Sequence, residues 1–463
     1  MELITAKEFL EHKLEGSEKI EFYHKLTESL DKIQKQFSPF ITMNSSTVHQ
    51  QGNLKGLPIS IKDCICTAGM RTTAGSKILD NYIPPFDATV VAKLKHSGGL
   101  IIGKTAQDEF GFGTFSTNCA YEVPKNPHDI NRSCGGSSGG AGCITAAANF
   151  PHIAIAESTG GSITAPAAFT GTVGITPTYG RVSRYGLIDY SNSMDKIGVI
   201  AKTVYDAALG LSYISGHDTM DSTSAKIDVQ SFHTQLDSSI KGMRIGIVDN
   251  YFEDIEENVS NMVMKGVEIL EKNGAVIKHV RLNLTELALP SYYIIAMSEA
   301  STNLAKYSGL RYGEQQEISG NFSDYASKIR EVAFGDEAKR RIILGTYVRA
   351  AGFRDAYYMK ALKIRRMIID EFKKEFKNFD ALVAPSMPTI APRFDQIKKL
   401  TPVENYNMDK LTIGPNMSGI PTISIPIGKM NDMPLGLQLI GDHFQESKIL
   451  RLAYAIERNK NEH

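Results

Sequence analysis

Between residues 17 and 37, apolar side chains recur at Ile20, Tyr23, Leu26, Leu30, Ile33 and Phe37. That three-to-four-residue period predicts an amphipathic helix docked on a larger body. Ser17 stands where an N-cap belongs, and Pro39 lies just past the end. At 57–63, LPISIKD, the period drops to two: Ile59 and Ile61 on one face, Ser60 and Lys62 on the other. This predicts a strand with a lysine at its end. Residues 90–94 read as a helix closed by Gly98-Gly99, and 100–102 as the strand that follows. Farther on, strands at 243–248 and 276–280 flank an amphipathic helix at 259–270 capped by Gly274. Residues 290–376 are mostly helical, and buried strands are predicted at 380–384, 422–426 and 435–440. Strands and helices alternate without a linker or a repeat. The fold class this implies is α/β, with one large, mixed but mostly parallel sheet covered by helices on both faces.

One stretch breaks both periods. Residues 133–166 hold two clusters of glycine and serine, Gly135-Gly136-Ser137-Ser138-Gly139-Gly140 and Thr159-Gly160-Gly161-Ser162. Between them lies a small-residue segment that reads as a buried helix and then an apolar strand at 153–156. Glycine lets backbone amides approach a ligand closely. A serine in such a turn is presented beside N–H donors, which is what an acyl-transfer nucleophile and its oxyanion hole require. A flexible linker would not carry apolar, strand-like sequence on both sides.

Two familiar patterns fail in context. Residues 98–105, GGLIIGKT, match the phosphate-binding GxxxxGK[ST] pattern, but Leu100, Ile101 and Ile102 read as a strand rather than a loop. Residues 136–140 match GxSxG with Ser138 central, yet 124–133 reads as an Asn/Pro/Asp-rich loop where a strand should precede the elbow. The downstream histidines His217, His233, His279 and His443 have no recognisable site around them.

Composition narrows the field further. With 463 residues, 42% of them hydrophobic, the chain can bury a substantial core. Lys+Arg and Asp+Glu both number 51, so no broad basic surface for nucleic acid is available, and any contact with nucleic acid would be local or delegated. The five cysteines form no CxxC pair or disulfide framework; Cys64 and Cys66 read as buried thiols rather than a metal site. No run of eighteen apolar residues occurs, and Met1-Glu2-Leu3 opens without a basic-then-apolar leader. A cytoplasmic protein that spans no membrane is expected.

With Lys62, GGSSGG and TGGS in view, residues 50–442 resemble the amidase signature family. Within that family, 173–198 (VGITPTYGRVSRYGLIDYSNSMDKIG), 298–313 (SEASTNLAKYSGLRYG), 334–348 (FGDEAKRRIILGTYV) and 355–365 (DAYYMKALKIR) resemble the glutamine-hydrolysing A subunits of tRNA-dependent amidotransferases. The resemblance implies one amidase domain over 1–463, with an N-terminal helical segment (1–45) docked on it and a glutamine-pocket region at 285–376. It implies a Ser–cis-Ser–Lys triad of Ser162 as nucleophile, Ser137 as relay and Lys62 as base. An oxyanion hole at Thr159, Gly160, Gly161 and Ser162 would accompany it. A glutamine pocket of Tyr293, Arg341 and Asp409 is implied too, with Tyr292 and Arg340 as adjacent alternatives. A guanidinium suits the α-carboxylate of glutamine and a carboxylate suits its α-ammonium. No metal and no cofactor are implied for this chain itself. ATP and Mg²⁺ would be used by a heterotrimer through a partner, with B and C subunits completing it and the B subunit holding most of the misacylated Glu-tRNA(Gln) or Asp-tRNA(Asn).

Two positions depart from the family pattern. Ser158 stands where the family has Asp, and Thr164 where it has Arg; Glu157 sits beside the missing Asp. The substitution of both charges by hydroxyls leaves no unpaired charge, so neutral hydrogen bonds are expected to keep the loop in shape and the enzyme active. A stand-alone small-amide hydrolase is a second reading, and the two departures raise a third, an inactive scaffold protein of the complex.

Overall fold

The computed structural model describes residues 3–12, 14–311 and 313–459. Met1 and Glu2, Tyr312 of the 298–313 stretch and the last four residues of the 1–463 unit lie outside the described residues. The strands in chain order are β1 Phe40–Met43, β2 Pro58–Lys62, β3 Leu100–Thr105, β4 Lys125–Asn126, β5 Asp129–Ser133, β6 Ile153–Ser158 and β7 Val173–Thr176. They continue with β8 Lys196–Ala201, β9 Arg244–Val248, β10 Val276–Val280, β11 Ala381–Pro385, β12 Thr422–Met430 and β13 Met433–Ile440. Eleven of them form one sheet in the order β1-β3-β2-β6-β8-β7-β12-β13-β11-β9-β10, and β4 and β5 pair separately. Strands β2, β3, β6, β7, β8, β11 and β13 are buried at every position, so both faces of the sheet are covered.

The sheet is less parallel than its alternating strands and helices suggest. Parallel pairing is confined to two flanks, β3-β2-β6 and β11-β9-β10, where helical crossovers join the strands. The other six pairings, including all those of the central strands, are antiparallel. The reason is local: β12 and β13 are joined by Asn431 and Asp432, both with positive φ, the backbone that closes a two-residue hairpin.

The first long helix spans Gly16–Phe37, and its apolar stripe buries Tyr23, Leu26, Leu30, Ile33 and Phe37. These pack with Phe40, Leu100, Ile102, Ile144 and Phe150 in a cluster separate from the main core. Two expectations about this helix change. Glu15, not Ser17, occupies the N-cap and makes no side-chain cap bond, and Ile20 is 73% exposed. The helix Ala6–Glu11 is fastened at its start, where the Asp206 carboxylate accepts from the amides of Ala6 and Lys7. Residues 125–133 form the short β4–β5 hairpin rather than a featureless loop. The GGLIIGKT stretch runs into β3 with Lys104 fully buried, so it cradles no phosphate.

Candidate active site

The chain ends β2 at Lys62, whose side chain is completely buried. Its Nζ lies 2.7 Å from Ser137 Oγ, 3.0 Å from the Glu157 carbonyl oxygen and 2.9 Å from Glu157 Oε2. Ser137 follows a cis peptide bond from Gly136 and sits in the turn between β5 and the helix Gly139–Ala147. The glycines of that turn are dictated by contact. A Cβ on Gly136 would fall 2.3 Å from Asp108 Oδ2 and 2.6 Å from the Ser116 amide, so only glycine lets the turn pack there. Neighbouring Ser138 is the GxSxG serine, and its hydroxyl donates to the Glu157 carbonyl, 3.0 Å, with no histidine beside it.

Glu157 ends β6, and the TGGS turn follows into the helix Thr164–Thr170. Ser162 is 7% exposed in this buried turn. Among the described residues its hydroxyl makes no hydrogen bond, to Ser137 or otherwise, so the structure joins Lys62 to Ser137 but not Ser137 to Ser162. The N–H groups of Gly160, Gly161 and Ser162 likewise have no acceptor among the described residues. Free amides around a serine have the donor pattern of an oxyanion hole. Thr159 is held from both sides: its hydroxyl lies 2.9 Å from Glu157 Oε1 and 2.7 Å from Asp195 Oδ1, and its carbonyl accepts from Asn416 Nδ2. Burial, with Glu157 next to it, pushes the Asp195 carboxyl well above the ordinary range.

Ser158 donates to the Gly160 carbonyl at 3.3 Å, a neutral hydrogen bond across the turn. It makes none to Thr164. The turn is braced further by Glu157, Asp195 and Asn416, of which only Glu157 was marked in the sequence. Glu157 sat beside a motif, while Asp195 and Asn416 lie 36 and 257 residues from Thr159 and carry no local signal.

The three expected pocket residues converge. Arg341 on the helix Asp336–Arg349 is 2% exposed, and Phe112, Tyr190, Tyr293 and Tyr406 surround its guanidinium with ring centroids 5.0–5.5 Å away. Such cation–π contacts hold a desolvated guanidinium in place. Nε donates to Glu337 Oε1 at 2.8 Å and Nη1 to the Tyr190 hydroxyl, while Nη2 has no hydrogen bond among the described residues. Asp409 accepts from Tyr293 at 3.1 Å and Thr114 at 2.9 Å. Burial raises its carboxyl to about 6 despite those two bonds and the nearby Arg341. The adjacent alternatives separate. Arg340 is on the rim, its side chain 42% exposed and paired with Glu337, and a Cβ on Gly160 would meet the Tyr292 hydroxyl at 3.0 Å. Tyr292 therefore packs on the TGGS turn, whereas Tyr293 joins Asp409 and Arg341. Asp409 also borders the turn, since a Cβ on Gly161 would lie 3.4 Å from its Oδ1. A cavity bordered by Thr114, Asn118, Glu337, Arg340, Arg341 and Tyr406 reaches this cluster from outside.

A family model described as Amidase matches residues 17–450. The chain belongs to the amidase family. Among its relatives, the A subunit of the glutamyl-tRNA(Gln) amidotransferase of Halothermothrix orenii is 45% identical over 448 residues, covering 95% of this chain and 92% of that protein. The crystal structure of the A subunit of the Thermotoga maritima glutamyl-tRNA(Gln) amidotransferase matches with a TM-score of 0.85 at 37% identity, covering 98% of this chain and 94% of that one. The peptide amidase of Stenotrophomonas maltophilia matches with a TM-score of 0.72 at 28% identity, covering 89% and 84%. The α/β fold with its eleven-stranded mixed sheet is thus that of amidase signature structures. Among the described residues of this amidase-family chain, no group of three His, Cys, Asp or Glu could hold a metal ion, and no helix is long and apolar enough to cross a membrane. Cys64 and Cys66 are buried free thiols.

Proposed function

We propose that this chain is the glutaminase subunit of a tRNA-dependent amidotransferase. Ser162 attacks the carboxamide carbon of glutamine; the C–O bond forms as the C=O π bond opens to an oxyanion, and the C–N bond breaks as that carbonyl re-forms. Ammonia leaves with the proton that passed from Ser162 to Ser137 and on toward Lys62. Water then hydrolyses the γ-glutamyl ester by the same route reversed. The amides of Gly160, Gly161 and Ser162, with Thr159 at the head of the turn, receive the developing oxyanion. Arg341 Nη2 pairs with the α-carboxylate, and Asp409, assisted by Tyr293, pairs with the α-ammonium.

The observation that carries this reading is the contact of Asp409 and Tyr292 with the glycines of the TGGS turn. A buried carboxylate beside the turn that carries Ser162, with a buried guanidinium near it, suits a zwitterion with an amide at one end. A simple amide would use neither Arg341 Nη2 nor the Asp409 carboxylate. In the complex, B and C subunits would complete a heterotrimer. The B subunit would hold Glu-tRNA(Gln) or Asp-tRNA(Asn) and use ATP with Mg²⁺, so that this chain needs no cofactor of its own. The setting is the cytoplasm, with the rest of the translation machinery.

Ammonia release measured on the purified chain, alone and with its partner subunits, tests the proposal. Glutamine-dependent release, strengthened by partners, is the expected result. Hydrolysis of simple amides in preference to glutamine would mean a stand-alone amidase, and no release in either case a scaffold.

A further inference from the structure

Glu157 is buried against the base of the triad and has no role in the reaction as described above. Lys62 Nζ has three neighbours, Ser137 Oγ, the Glu157 carbonyl and Glu157 Oε2, all within 3.0 Å. An ammonium donates to all three. A neutral amine donates to the two Glu157 oxygens and turns its lone pair to the Ser137 hydroxyl. Both states fit the same positions of the heavy atoms, so a proton can enter Nζ from Ser137 and leave toward Glu157 Oε2 without movement of a side chain.

The far side of Glu157 is arranged to keep it receptive. The Thr159 hydroxyl touches both Glu157 Oε1 and Asp195 Oδ1 but owns one hydrogen. Two contacts among three oxygens need two hydrogens, so one of the carboxyl groups supplies the second. Asp195 is fully buried, and burial with Glu157 beside it favours its acid form, against the amides of Tyr190 and Ser191 that donate to it. The chain of bonds then runs from Asp195 to Thr159 and from Thr159 to a Glu157 carboxylate.

We propose that Glu157 is the terminal proton acceptor of the relay. This rests on the triad of Lys62, Ser137 and Ser162 proposed above. As Ser162 Oγ bonds to the acyl carbon, its proton passes to Ser137 Oγ and the Ser137 proton to Lys62 Nζ. An Nζ–H bond then breaks as an O–H bond forms at Glu157 Oε2. Lys62 carries the same charge before and after. The proton returns along the same path when the leaving nitrogen departs. Glu157 touches no substrate atom and acts through Lys62, as a positioning residue that also holds the proton.

The test compares Glu157→Gln, Glu157→Asp and Ser162→Ala in the full chain with its partners. Glutamine kcat and KM are measured against pH, together with the rate at which a fluorophosphonate probe labels Ser162. Titratable groups facing this cluster from the packed elements are Lys62 and Cys64 at the end of β2, Tyr190 and Asp195 ahead of β8, and Asp108 opposite Lys62. Glu157→Gln keeps the shape and hydrogen-bonding reach but cannot take the proton. Its kcat is expected to fall by at least about tenfold with KM within about twofold, and labelling to slow in parallel. The pH profile of its kcat should change in shape as well as in height, since the group that takes the proton is gone. Glu157→Asp should recover part of the loss. A Glu157→Gln chain as fast as the unsubstituted one, or faster at neutral pH, overturns the proposal: Glu157 would then brace or restrain Lys62. If the unsubstituted chain labels at Ser162 but releases no ammonia from glutamine, the substrate reading fails and the labelling rates still decide the role of Glu157. Labelling that persists in Ser162→Ala overturns both.

Discussion

At the scale of single residues, Arg341 and Asp409 make opposite demands. Arg341 sits in an aromatic cage with Glu337 as its ionic partner. Removing one partner of a buried charged pair costs about 3–5 kcal/mol. Arg341→Ala should therefore raise the glutamine KM by about two orders of magnitude or more, whereas Arg340→Ala, on the rim, should change it little. Steady-state kinetics on the two variants decides this. Asp409 is held at about 6 against an ordinary 3.8, chiefly by burial. The folded state thus binds this proton more tightly than the unfolded chain. The stability contribution falls as pH rises from about 3.8 to 6, by about 3 kcal/mol in all. Two outcomes follow. Glutamine KM should rise as pH falls through about 6, because the protonated acid no longer pairs with the α-ammonium. Asp409→Asn should raise Tm at pH 8 while weakening glutamine binding, and calorimetry beside a KM profile checks both. The sequence reached Lys62, Ser137, the TGGS turn, Tyr293, Arg341 and Asp409 through motifs and the family resemblance, and marked Glu157 beside its motif. The contacts of Glu157, Asp195, Asn416, Tyr190 and Glu337 were out of reach, because each matters through a partner that only the fold brings near.

Among the elements, the helix Gly16–Phe37 and the helix Gly139–Ala147 share one apolar cluster. The second of these starts at the turn that carries Ser137. Leu30 is 4% exposed at the centre of the cluster. Leu30→Ala should destabilise the fold by about 2–5 kcal/mol through the lost burial and the cavity left behind. Below the transition, glutamine kinetics should be unchanged, because Lys62 and the TGGS turn hang from β2 and β6, not from this helix. Denaturant unfolding beside an assay at low temperature separates the two effects. Periodicity found this helix, β2, β3, β9, β10 and the β12–β13 pair, where an amphipathic or apolar run is bounded by turn residues. It missed β7 and β8, which are buried on both faces and carry no alternation to distinguish them. It also overstated the parallel share of the sheet, since strand order cannot be read from the period of one strand. The cap expected at Ser17 fails locally: the helix begins at Gly16, so its N-cap is Glu15, two residues earlier.

For the whole molecule, the account makes ammonia the only product this chain must deliver to its partners. A complex carrying Ser162→Ala should lose glutamine-dependent amidation of tRNA and keep amidation from added ammonium salt. Failure with ammonium would assign this chain a second role in the complex. The most direct test of the central claim is to trap the acyl-enzyme. The chain in its complex is mixed with glutamine, quenched in acid within a turnover, digested and examined by mass spectrometry. The account predicts one γ-glutamyl group on the peptide containing Ser162, absent from Ser162→Ala and present in Ser138→Ala. A glutamyl group on Ser138, or turnover by Ser162→Ala with no adduct on any serine, would contradict it.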